Sequence, residues 1–149
     1  MSEHLATIEW HSDGNFREGR YSRVHRISFD GGAEMAGSAS PQIVRAPMSD
    51  ASAVDPEEML VASAAACHML WFLDLARRAG LAIASYRDEA RGVIGNLDGR
   101  TALTRIVLRP RIAFEGEPPD DATLARLHHE AHEYCFIANS LRSEVTVES

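Results

Sequence analysis

The chain has 149 residues, of which 45% are hydrophobic and 25% charged, a length and balance that suit one globular domain with a real core. Its formal net charge of −7 argues against nucleic acid or an anionic membrane as the main partner. The first residues, MSEHLATIEWHSDG, show no basic stretch followed by an apolar run, so no signal peptide is read and a cytoplasmic location is expected.

Residues 5–11, LATIEWH, alternate weakly and are expected to form a strand. Residues 11–19 are turn-like, and 20–29 alternate better, with Tyr21, Arg23, His25 and Ile27 on one side of a second strand. Asp30-Gly31-Gly32 marks a hairpin turn, and a short third strand is expected around 33–37. Residues 38–54 are small and polar with two prolines, hence a loop; a loop of that length is more often functional than idle.

Residues 55–80, DPEEMLVASAAACHMLWFLDLARRAG, organise the rest. Asp55 suits an N-cap, Pro56 the first helical position, and Glu58 completes a D-x-x-E capping pattern. Arg77 and Arg78 complement the dipole at the far end, and Gly80 suits a left-handed stop. Between Met59 and Leu73 only Ser63 and His68 are polar, so the helix is apolar nearly all round. Such a helix is buried or spans a membrane; the run falls short of about 20 apolar residues, with Asp74 cutting it off, so a buried core helix is expected. Residues 81–94 and 101–114 read as two strands about an Asp98-Gly99 turn, with an edge or bulge at Pro110. A second helix, roughly 122–134, is capped by Asp120 or Asp121 and carries the stripe Leu124, Leu127, Ala131 and Tyr134. Residues 141–147 alternate as a closing strand. The order indicates an α+β domain spanning 1–149, and a helix apolar on every side calls for a second subunit to help cover it.

Three sets of residues can carry chemistry. Cys67 sits mid-helix and Cys135 at the end of the second helix. They read either as buried small hydrophobes or as a reactive thiol with a resolving partner, and the second reading needs a cation to lower a thiol pKa. His128, His132 and Cys135 share a helical face and, with Cys67, have the residue types of a zinc site; the alternative is a set of solvent-facing and capping histidines. Glu57 complements the helix dipole, and it lies about 15 Å along a straight helix from Cys67, too far for direct contact.

The stretch DPEEMLVASAAAC resembles the signature of the OsmC/Ohr superfamily of organic peroxide reductases. There an N-P-E-E/Q-L segment and small residues precede a reactive Cys ten positions after the first Glu, a spacing that Glu57 and Cys67 reproduce. The segment HEYCFIANSL, with Cys135, resembles the family's second motif, and the order of elements fits end to end. Phe136 stands where the family commonly has Pro, and His68 where an aromatic or apolar residue is common. The resemblance implies an OsmC-like fold in an intertwined homodimer and a thiol peroxidase acting on organic hydroperoxides. Cys67 would become a sulfenic acid, Cys135 would resolve it as a disulfide, and an external dithiol, lipoyl in Ohr-type members, would reduce it. It also implies an arginine paired with Glu57 to hold the thiolate, either Arg23 or, in the OsmC-type placement, Arg45. No cofactor, metal, nucleic acid or membrane is expected. The alternative function is a non-enzymatic OsmC-fold module that binds or senses an apolar small molecule.

Overall fold

The computed structural model describes residues 1–148. Its contacts divide the chain into one compact unit over Met1–Met59 and a second from Leu60 onward.

The first unit is a three-stranded antiparallel sheet, β1 (Ala6–Glu9), β2 (His25–Phe29) and β3 (Glu34–Gly37), with β2 in the middle. Ile27, the buried residue of β2, pairs with Ile8 on one side and Met35 on the other. The strand expected from residue 20 begins only at His25. The backbone before it is engaged elsewhere: Ser22 N–H donates to the Asp13 carboxylate (3.1 Å), Ser22 C=O accepts from Trp10 Nε1 (2.8 Å), and Arg23 N–H donates to Met48 C=O (2.7 Å). Trp10, Phe16 and Tyr21 cluster there with ring centroids 5.0–5.8 Å apart. The long loop is pinned at its base by Gly37↔Val54 pairing and by the buried Ser38 hydroxyl, which accepts from Asp50 N–H (3.0 Å) and donates to Ala39 C=O.

Helix α1 (Pro56–Arg78) begins as the capping pattern requires. Glu58 N–H donates to Asp55 Oδ1 (2.8 Å), and Asp55 N–H donates to Glu58 Oε1 (3.2 Å). It ends in a Schellman motif, with Gly80 at φ 81°, Gly80 N–H bonded to Arg77 C=O and Leu81 N–H to Ala76 C=O. Within one chain α1 is buried on one side only, the incomplete cover expected of a single subunit. Only Ala64, His68, Phe72, Leu75 and Ala76 are buried, one stripe at three- and four-residue spacing, while Leu70 is 63% exposed. The helix has 23 residues and holds an 18-residue window with a mean hydropathy of 1.6, enough to cross a membrane by length and composition alone, a test that a core helix also passes. The buried stripe instead joins two core clusters of the second unit.

The strands read at 81–94 and 101–114 each divide. They give β4 (Ile83–Asp88), β5 (Arg91–Leu97), β6 (Arg100–Leu108) and β7 (Pro110–Phe114). One antiparallel register nevertheless runs from Ser85↔Ala113 through Asp88↔Pro110 and Arg91↔Val107 to Val93↔Arg105. The ladder pauses where Pro110 has no N–H to give, and there the Asp88 carboxylate accepts Arg109 N–H at 2.7 Å. Helices α2 (Asp121–Tyr134) and α3 (Phe136–Ser140) lead to β8 (Glu144–Val147), which lies parallel to β6. Asp120 caps α2 by accepting Thr123 N–H. One cluster joins Phe72, Leu75 and Ala76 of α1 to Leu127 and Ala131 of α2. The other joins Ala64 to Ile106 and Leu108 of β6.

Gly92 lets α1 lie close on β5. A Cβ there would stand 2.6 Å from Val61 Cγ2 and 3.0 Å from Leu103 Cδ2, two half-buried side chains packed against the Ala64–Ile106–Leu108 cluster. Gly92→Ala is expected to destabilise the protein by about 1–3 kcal/mol, read as a lower urea midpoint. An unchanged midpoint would mean that α1 moves off the sheet without penalty.

Candidate active site

The fold brings the two cysteines together. Cys67 projects from the middle of α1 and is half-buried; Cys135 is the C-cap of α2 and the N-cap of α3, and is 1% exposed. Both are free thiols, near enough for Cys67 to influence the Cys135 thiol. Burial pushes the Cys135 thiol above its ordinary value of 9.0; the Ala138 N–H, which donates to its sulfur at 3.4 Å, partly offsets this, and the neighbouring Cys67 adds to the rise. Cys135 is thus a protonated, shielded thiol, while Cys67 is the more accessible of the two.

Beside the thiols lies a buried histidine pair. His68, next to Cys67, is 1% exposed, and its Nε2 is 3.0 Å from Nδ1 of His128 on α2. The rings are nearly parallel, at 10°, and Phe72 stacks on His128 with centroids 4.4 Å apart. Burial is the main reason that both histidines titrate at about 4 rather than 6.5; the charges of His128 and His132 depress His68 further. The expectation of solvent-facing histidines holds for His129, which is exposed and 3.3 Å from Glu133, but not for His128. Nor do Cys67, His128, His132 and Cys135 form a donor set: among the described residues no three His, Cys, Asp or Glu side chains are arranged to hold a metal ion. His128 is turned to His68, and Cys135 to Cys67.

An aromatic wall flanks the same place. Trp71, one turn after Cys67, stacks on Tyr134 (5.1 Å, 27°) and meets Phe136 edge-on (5.7 Å, 85°). Tyr134 and Phe136, on either side of Cys135, are 52% and 68% exposed. The sequence reading assigned no role to this wall or to the histidine pair. One signal was present: His68 is a lone ring nitrogen donor on an otherwise apolar stripe, and a buried polar group needs a partner.

Glu57 and Arg23 lie in the first unit. Glu57 is in the first turn of α1 beside Asp55, and because α1 is unbroken it stays about 15 Å along the axis from Cys67. The Arg23 guanidinium is held locally: Nη1 donates to Tyr21 C=O (2.5 Å) and Gly19 C=O (3.4 Å), and its carbon lies 3.5 Å from the Tyr21 ring centre. Arg45 is exposed in the long loop. Among the described residues Glu57 makes no ion pair with Arg23 or Arg45.

The family model for OsmC-like proteins matches residues 49–149, about two thirds of the chain. The chain belongs to the OsmC-like family. An OsmC-like protein of unknown function from Vibrio cholerae O1 is 45% identical and superimposes with a TM-score of 0.96, covering 99% of each chain. An organic hydroperoxide resistance protein from Elizabethkingia anophelis superimposes with a TM-score of 0.73 at 18% identity, over 100% of this chain and 97% of that one, a likeness of fold. The uncharacterised protein YmaD of Bacillus subtilis is 26% identical over 96 residues, which are 63% of this chain and 64% of that protein. The α+β architecture is therefore the OsmC-like fold.

Two outcomes follow from the geometry. Because the folded pKa of both histidines lies below 6.5, the unfolded chain binds more protons between pH 6.5 and 4. Stability is full above pH 6.5 and is lost as pH falls towards 4, which should lower the melting midpoint by roughly 5–10 °C between pH 7 and 4.5. A flat profile would mean that the pair is not buried and neutral. In the native protein, iodoacetamide should label Cys67 before Cys135, as peptide mass spectrometry would reveal; the opposite order would contradict the burial described.

Proposed function

We propose that the protein is a thiol-dependent peroxidase that reduces organic hydroperoxides, with residues 1–149 acting as one OsmC-like domain in a cytoplasmic homodimer. The observation that carries this is the nearness of two free thiols of unequal burial in a member of this family.

The residues suggest the order of events. The Cys67 thiolate attacks the outer oxygen of ROOH, the O–O bond breaks, and RO⁻ takes a proton and leaves as ROH. Cys67 is then a sulfenic acid. Cys135, kept protonated by burial, gives up its proton as its sulfur displaces hydroxide from Cys67, so that a Cys67–Cys135 disulfide and water form. An external dithiol, of the lipoyl kind used by Ohr-type relatives, returns both thiols and becomes a disulfide itself. The Trp71, Tyr134 and Phe136 wall suits an apolar R group and offers little to hydrogen peroxide.

The dimer is supported by the apolar surface that α1 leaves open, with Leu70 63% exposed. Assembly also answers the need for a cation. Glu57 has no arginine partner among the described residues of its own chain, and Arg23 or Arg45 is proposed to supply one when the dimer forms. Arg23 must then exchange its contact with Tyr21 for one with Glu57.

With dihydrolipoamide as reductant, turnover of cumene and tert-butyl hydroperoxides should exceed that of hydrogen peroxide by roughly tenfold or more, and Cys67→Ser should lose at least about a hundredfold. Cys135→Ser should still consume one equivalent of peroxide and then stall. Full turnover in Cys67→Ser would sink the peroxidase and return the alternative, a binding or sensing module with ordinary core cysteines.

A further inference from the structure

The proposed chemistry makes no use of the His68–His128 pair, yet the pair is costly to keep. Two imidazoles are buried and held neutral, and Nδ1 of His68 is buried with no hydrogen-bond partner. Each neutral ring has one N–H. If His128 Nδ1–H donated to His68, the proton of His68 would sit on the orphaned Nδ1. Donation from His68 Nε2–H to His128 Nδ1 leaves that atom a bare acceptor, the less costly orphan.

The two rings sit where they can govern the thiols. His68 adjoins Cys67 on α1, and His128 is two turns before Cys135 on α2. Each ring is thus fixed to one thiol by helical backbone. Elsewhere the α1–α2 contact is apolar, Phe72, Leu75 and Ala76 against Leu127 and Ala131. Apolar contacts tolerate sliding; a hydrogen bond fixes distance and direction. Among the described residues, this is the one hydrogen bond joining side chains of α1 and α2. We propose that the His68–His128 hydrogen bond positions the dithiol, holding α2 in register on α1 so that Cys135 stays within bonding reach of Cys67. The pair touches neither peroxide nor sulfur in this role. The proposal rests on the dithiol part of the function above, and not on the choice of peroxide.

The test is the Cys67–Cys135 reduction potential, measured on the full chain in dithiothreitol redox buffers by mass shift after alkylation. The key variant is the double His68→Met/His128→Phe, which removes both buried polar groups together and keeps an aromatic ring against Phe72, so that stability should change little. With the register freed, the disulfide should be at least tenfold less favoured, a potential about 30 mV higher. His128→Asn, which offers a polar atom near the Nδ1 position, should recover most of that shift. A folded double variant with the wild-type potential would overturn the proposal. So would a double variant that fails to fold, because the pair would then carry the fold and not tune the thiols. If the wild-type chain forms no Cys67–Cys135 disulfide in any buffer, the dithiol reading itself fails and this proposal falls with it, an outcome distinct from an unchanged potential.

Discussion

The second unit depends on the packing of one stripe of α1. Ala64, His68, Phe72, Leu75 and Ala76 are its buried positions, and both core clusters of that unit are built on them. The stripe decides where Cys67 stands, since a residue one place from His68 must lie at the edge of the buried face. It decides where Cys135 stands as well, because α2 docks on the same stripe through Leu127, His128 and Ala131. The positions of the two thiols therefore follow from how the helix is buried.

The unequal surroundings of the two thiols give the arrangement its direction. A thiol that caps two helices inside the protein is shielded, and burial holds its proton on. A half-buried thiol on the neighbouring helix meets small molecules first. Peroxide chemistry, as proposed, needs this asymmetry: one sulfur to be oxidised and one to wait. The aromatic side chains on either side of Cys135 make the approach apolar, consistent with an organic substrate.

Local chemistry was legible in the sequence. The Asp55–Glu58 box, the left-handed Gly80 and the hairpin turns all read correctly, and the α2 cap was narrowed to Asp120 or Asp121, because each is settled by residues a few positions apart. So was the motif spacing that joins Glu57, Cys67 and Cys135 to a family. What escaped was long-range or too short to have a period. The five residues of α3 show no periodicity, so Cys135 read as the end of one helix rather than the hinge between two. The His68–His128 bond joins positions 60 residues apart, and spacing on one helix instead suggested His128, His132 and Cys135 as one set. Arg23 read as a strand residue because alternation says nothing of Asp13, Trp10 and Met48 competing for the backbone around it.

The central claim is that Cys67 and Cys135 form one redox couple driven by peroxide. It is tested most directly by adding one equivalent of cumene hydroperoxide to the reduced protein and mapping the product by mass spectrometry. The account predicts loss of two hydrogens from the intact chain and a single disulfide-linked peptide joining Cys67 to Cys135. An intact mass that does not change, or oxygen retained on Cys135 with Cys67 still reduced, would contradict it.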